Sequence, residues 1–301
     1  MSRQSPRTYI ALSIGAALTT MALKFSSYAL TGSMGLFSDA AESGVNLIAA
    51  LFALWALTVA ARPADYEHTF GHSKAEYFSS ALEGVLVLVA ALSILMAAVP
   101  RLLDPQPIAQ LEIGLLLSLI AAGVNGGVAW ILLRAGKRLR SITLRADAHH
   151  LLTDVWTSGG VVVGLILVKL TGWQILDPLM AIAVAVNVSW VGIRLLKETT
   201  HGLMDSSLPQ HEQAIIQEIL TFYQDQGIAF HALRTRVAGS RSFVSFHVLV
   251  PGEWTIQQGH DLCEQIEHKI MRAIPQTHVT THLEPIEDPV SWQDEPLDRV
   301  L

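Results

Sequence analysis

The chain has a single cysteine, Cys263, in 301 residues. An intrachain disulfide is therefore excluded, and so is a Cys-rich zinc module. Any metal held by this protein must be held by histidines and carboxylates. Charge is also scarce: Asp, Glu, Lys and Arg make up 15% of the chain, against roughly 25% in a soluble domain. The formal net charge is −6, and no basic run with interleaved aromatics occurs, which argues against nucleic-acid binding. No HExxH, GxSxG or other paired catalytic signature is present, so an intramembrane hydrolase has no support. What is abundant is apolar sequence, 51% of all residues, and that composition points to a membrane protein.

Six apolar spans reach the length of about 20 residues that a hydrocarbon core requires. They run over approximately 8–30, 34–60, 78–100, 111–134, 146–169 and 175–196. The first is too long for a signal peptide and lacks a small-residue cleavage site. Arg3 and Arg7 precede it, the link between spans four and five carries Arg134, Lys137, Arg138, Arg140 and Arg145, and Arg194 and Lys197 end the sixth. Outside the spans, the opposite side has only Arg101. The bias places both termini in the cytoplasm. Spans two and five then run in opposite directions, as in the inverted halves of many transporters.

Those two spans carry the polar residues that matter most. In span five, His150 and Asp154 are four residues apart, so on a helix they share a face about 6 Å of rise apart. An imidazole and a carboxylate so placed form half of a divalent-cation site. Span two repeats the template, with Asp39 matching Asp147, Glu42 matching His150 and Asn46 matching Asp154. Ionisable groups inside a bilayer are costly and mark transport pathways. The expectation is one four-ligand site built from Glu42, Asn46, His150 and Asp154. His149 is turned about 100° away from Asp154. Asp39 and Asp147 are expected near helix ends, capping a turn or meeting water, and Lys24 in span one is expected to snorkel or pair. Between spans two and three, Asp65, His68 and His72 are suited to a divalent ion, although spacing alone fits a solvated polar loop equally well.

From Asp205 onward the composition changes. Gln210–Phe222 and Thr255–Ala273 have helical periodicity, Phe230–Val237 and Ser242–Val250 alternate as strands joined at Ala238-Gly239-Ser240, and His278–Leu283 is a third strand. The order αββαβ implies a small α+β domain, a sheet backed by two helices. The expected organisation is an α-helical membrane domain of six transmembrane helices over 1–204, a cytoplasmic metal-binding and dimerisation domain over 205–290 and a tail over 291–301. Four histidines, His231, His247, His260 and His282, sit at element edges with Glu284 closing the third strand, a donor set that fits Zn²⁺ if those edges converge.

With its six spans, its paired four-residue motifs, the loop His68-Thr69-Phe70-Gly71-His72-Ser73-Lys74-Ala75-Glu76 and the αββαβ tail, the chain resembles the cation diffusion facilitator family, specifically its bacterial zinc- and iron-type efflux transporters. The likeness covers nearly the whole sequence. It implies a ferredoxin-like cytoplasmic fold and a homodimer in the bacterial inner membrane, in contact with lipid, that exchanges cytoplasmic divalent metal for protons. It also implies a membrane site at Glu42, Asn46, His150 and Asp154, a loop site at Asp65, His68 and His72, and a cytoplasmic site at His231, His247, His260, His282 and Glu284. Lys74 and Asp205 resemble a charge pair that steadies the dimer. One departure stands out. Zinc-type members usually place Asp or His, then Asp, in span two, where this chain has Glu42 and Asn46. The site thus carries two negative charges, and Asn46 offers a neutral amide oxygen. Zn²⁺ is the first expectation, both as cargo and as regulator, and Fe²⁺ the second, with Co²⁺, Mn²⁺ and Cd²⁺ open. The rival expectation is a membrane-anchored metal sensor whose cytoplasmic histidines are the primary site.

Overall fold

A computed structural model describes residues 6–139 and 142–293. Arg3, Arg140 and the tail from residue 294 lie outside the described residues, as does the side chain of Asp147. Six long helices come first: α1 (Pro6–Thr31), α2 (Met34–Ala60), α3 (Ala75–Leu103), α4 (Leu111–Leu139), α5 (Ile142–Thr171) and α6 (Leu176–Leu203). Among the described residues, five of them, α2 to α6, have a stretch long and apolar enough to cross a membrane. The 26-residue α1 is not one of those five. The side chains of Ile10 and Ala11, within the expected first span, lie outside the described residues. Large apolar side chains such as Leu51, Trp156 and Trp190 are exposed, as helices that face lipid require.

The chain divides into two compact units, Met1–Leu54 with Ser79–Leu196, and Trp55–Phe78 with Lys197–Leu301. In the first, Ala129, Leu132, Leu144, Ala148 and Leu151 form a buried cluster joining α4 to α5. Met34, Ile94, Ala98, Ala181 and Ala185 join α2, α3 and α6. The cluster of Leu36, Val161 and Leu165 brings α2 against α5. Small residues permit this close packing. It brings main chain close to main chain where α3 crosses α6: a Cβ on Gly84 would stand 3.2 Å from the Gly192 carbonyl, and one on Gly192 would stand 3.1 Å from the Gly84 carbonyl. Pro100 does not end α3 as its sequence position suggests. The helix continues to Leu103.

The first turn of α2 is held from a distance. Asp177, 4% exposed, accepts from the backbone amides of Met34 at 2.7 Å and Gly35 at 3.0 Å and from the Ser33 hydroxyl at 2.5 Å. A carboxylate at a helix N-terminus satisfies orphan donors and complements the helix dipole. It also ties the start of α6 to the start of α2, the helix on which two of the proposed ligands stand.

In the second unit, α7 (Gln210–Gln224), β1 (Ala229–Ala238), β2 (Arg241–Val250), α8 (Ile256–Ala273) and β3 (Thr277–Pro285) follow in the expected αββαβ order. β1 pairs antiparallel with β2, and β2 pairs parallel with β3. The α8 crossover that a parallel pair needs opens on a capping box between Thr255 and Gln258. Ile216, Leu220, Val244, Phe246, Val248, Ile266 and Ile270 form the core between sheet and helices. Alternation along β2 therefore sends Phe243, Ser245 and His247 to the opposite face of the sheet.

Candidate metal sites

Within the helical unit, one residue of each expected half-site touches the other. Asn46 Nδ2 donates to Asp154 Oδ1 at 3.5 Å. Asp154 is 9% exposed, Asn46 and Glu42 are half-buried, and His149 and His150 are exposed. Glu42, His150 and Asp154 do not bring their ligand atoms within 4.8 Å of one another, whereas two other groups of described residues do. Beside Glu42 lies a cavity of about 350 Å³ lined by Ser38, Asp39, Glu42, Thr157 and Asn187 among others.

One residue departs from its expected surroundings. Asp39 does not cap a helix end or meet water. It lies inside α2, 3% exposed, paired with Lys24 Nζ at 2.8 Å. The Ser158 hydroxyl donates to both Asp39 oxygens, at 2.9 and 3.0 Å. Lys24 pairs rather than snorkels, and its ammonium also donates to the Ser43 hydroxyl at 2.8 Å. A charge so deeply buried must be paired, and that requirement was the available signal for Asp39. Asp177 gave no comparable signal, because its partners are backbone amides.

The loop residues converge. His68 Nδ1 lies 3.4 Å from Asp65 Oδ1, His72 Nε2 lies 3.2 Å from Asp65 Oδ2, and the two imidazole centroids are 4.5 Å apart. The backbone amides of His68 and Glu67 donate to Asp65 Oδ1 at 2.7 and 3.1 Å. The His68 amide is the chief reason the Asp65 carboxyl titrates below the usual Asp range. His72 is the sheltered member: its side chain is 11% exposed, and its Nδ1 is buried with no hydrogen-bond partner among the described residues. Nearby, Lys74 Nζ lies 3.0 Å from Asp205 Oδ1, which also accepts from Arg236 at 3.2 Å. The Lys74 bond, followed by that of Arg236, holds the Asp205 carboxyl low.

The third group stands on the face of the sheet away from the helices. Strand register sets His231 opposite His247 and His247 opposite His282. Glu284 Oε2 sits 3.0 Å from His231 Nε2 and 3.2 Å from His247 Nδ1, and Glu284 Oε1 sits 3.4 Å from His282 Nε2. The ligand atoms of His231, His247 and Glu284 lie within 4.8 Å of one another, and Glu284 is 9% exposed. Two imidazoles and a carboxylate suit Zn²⁺, leaving a position for a further donor. His282 is at the exposed margin. His260 is exposed on the first turns of α8 and is not one of the three. Trp292 stacks on His231 at 5.9 Å, a neighbour that no periodicity in the sequence indicated.

Known proteins agree with this architecture. The family description "Cation efflux transmembrane domain" matches residues 10–204, and "Cation efflux protein, cytoplasmic domain" matches residues 208–286. The transporter sll1263 of Synechocystis sp. is 60% identical over 293 residues, covering 97% of this chain and 94% of that protein. The cation-efflux pump FieF of Citrobacter koseri is 29% identical over 279 residues, covering 93% of this chain and 92% of that pump. Among solved structures, the zinc form of CzrB, a proposed zinc transporter, is 35% identical over 28% of this chain and 96% of its own, with a TM-score of 0.25. The chain belongs to the cation diffusion facilitator family, and is a multi-pass membrane transporter of cations rather than an enzyme.

Proposed function

We propose that the protein exports a divalent metal ion from the cytoplasm across the bacterial inner membrane in exchange for protons, working as a homodimer by alternating access. Glu42, Asn46, His150 and Asp154 are the transport ligands in this reading. The observation that carries it is the Asn46–Asp154 contact at 3.5 Å, which joins the two repeated motifs of α2 and α5 within membrane-spanning helices. Glu42 faces the adjoining cavity, and His150 stands one turn before Asp154, so a cation at this level can recruit both by a change of rotamer.

Metal ligands must be deprotonated to bind, so cation and protons compete for one set of side chains. Imidazole is the side chain whose ordinary titration falls nearest neutral pH, which gives His150 the role of proton switch. The donor set fits Zn²⁺ first. The amide of Asn46 and the reduced charge extend the range toward Fe²⁺, Co²⁺ and Mn²⁺. The groups at Asp65, His68, His72 and at His231, His247, Glu284 act as accessory cytoplasmic sites that load when metal rises and favour the transporting dimer.

Proteoliposomes carrying an internal pH dye test the reading. Zn²⁺, Fe²⁺, Co²⁺, Mn²⁺ and Cd²⁺ are offered in turn to wild type and to Asp154→Ala. The expected result is metal-dependent proton movement that the substitution abolishes. Transport in Asp154→Ala equal to wild type would refute the ligand set, and metal flux without proton movement would refute the antiport.

A further inference from the structure

The Lys24–Asp39 pair sits against the proposed transport ligands without belonging to them. Both charged side chains are 2% exposed, and their N···O separation is 2.8 Å. Asp39 precedes Glu42 by one turn of α2, Ser43, the second acceptor of Lys24, adjoins Glu42, and Ser158, which donates to Asp39, follows Asp154 by one turn of α5. The two cross-helix contacts, Asn46 to Asp154 and Ser158 to Asp39, show α2 and α5 running antiparallel. The pair therefore lies immediately beyond the ligand level, toward the α1–α2 turn. Asp39 and Glu42 also line the same cavity.

The ammonium of Lys24 is thus held by Asp39, with Glu42 and Asp154 each about one helical turn from the residues that fix the pair. An amine on a four-carbon stem is a flexible point charge. Released from Asp39, the Lys24 amine needs another counter-charge at this depth, and Glu42 is next to a residue it already touches. Such an amine would compete directly with a divalent cation. We propose that Asp39 is a positioning residue that sequesters Lys24. By neutralising that ammonium, it leaves Glu42 and Asp154 as the two uncompensated carboxylates, a charge of two that matches a divalent ion. Ser158 fixes Asp39 for this task, and the same contact couples α1, α2 and α5. The inference rests on the ligand assignment under Proposed function.

The test is the KM and turnover of Zn²⁺ transport in proteoliposomes for wild type, Asp39→Asn, Lys24→Met, the double variant and Asp154→Ala. Asp39→Asn is expected to raise KM by about tenfold, a typical size for coupling between neighbouring sites. The double variant, with neither charge, is expected to return KM to within about threefold of wild type. A residue that only braced the helices would lower turnover with KM unmoved, and the double variant would be no better than the single; either result overturns the proposal. Lys24→Met supplies a second check if Asp39→Asn fails to insert: it removes the competitor, so a raised KM there also overturns it. These outcomes count against the Lys24–Asp39 role when Asp154→Ala is inactive. An active Asp154→Ala strikes the ligand assignment instead.

Discussion

Asn46 and Asp154 touch across α2 and α5 through a single amide–carboxylate contact of 3.5 Å. An aspartate in place of Asn46 would set two carboxylates face to face. Without metal they would repel, and with a divalent ion between them they would share it. Asn46→Asp is therefore expected to lower the KM for Zn²⁺ by roughly tenfold and to shift the ion ranking away from Mn²⁺. Turnover should fall, because a more tightly held ion leaves more slowly. Flux assays across the five metals check this, and an unchanged ranking would remove Asn46 from ion selection.

Glu284 is the carboxylate on which three histidines converge. Glu284→Gln keeps the volume and an acceptor oxygen while removing the charge shared by His231 and His247. In full-length protein carrying Asp154→Ala, so that the membrane ligands are disabled, the substitution is expected to weaken zinc binding at this group by tenfold or more, on the order of 1.4 kcal/mol. Titration calorimetry in detergent reads this directly. Full retention of zinc affinity would exclude Glu284 as a ligand.

Asp65 gives a pH signature. Its carboxyl is held below the usual Asp range, chiefly by the His68 amide. A depressed folded-state value means that the turn is favoured at every pH above the ordinary Asp range and loses that support only as pH falls through the lower value. Hydrogen exchange at the His68 amide should accordingly stay protected on mild acidification and speed up only below the range of a free aspartate. In Asp65→Asn, whose side chain keeps an acceptor oxygen but does not titrate, that acid step should vanish.

The membrane part was legible because polar residues inside apolar runs are costly, so the repeat of Glu42 and Asn46 against His150 and Asp154 stands out without any structure. The partner of Lys24 was less so. The expense of a buried ammonium demanded one, but the Lys24–Asp39 pairing joins separate helices and depends on how α1 packs. The residues of the sheet site were named in advance, but their convergence was illegible for a more specific reason. From Arg234–Ser245 to Ala238–Arg241 the β1–β2 register is regular, and extended unchanged it would set Ala232 opposite His247. An irregularity between His231 and Arg234, with Ala232 at φ 52°, moves His231 there instead. A bulge of this kind re-aims one side chain, and nothing in the alternation of Phe230–Val237 announces it. Convergence of His231, His247 and Glu284 therefore required the register, whereas His260, on a helix, could be placed by sequence only at an edge.

Gly239 links the sheet to the histidine loop within the same compact unit. It turns β1 into β2 at φ +61°, and a Cβ there would run into the backbone carbonyl of Ser73, the residue after His72. Two separate penalties follow for Gly239→Ala. The left-handed conformation costs an L-residue roughly 1 kcal/mol, and the collision cannot be relieved by a rotamer change because the obstacle is main chain. Together they are expected to destabilise this unit by about 1–3 kcal/mol. Gly239→Asn separates the two terms, since asparagine tolerates the left-handed region yet carries the same Cβ. If the collision dominates, both variants should lower the thermal midpoint alike and weaken metal binding at Asp65, His68 and His72 by displacing Ser73. If backbone strain dominates, Gly239→Asn should resemble wild type. Equal midpoints for all three proteins would mean that the turn does not press on the loop.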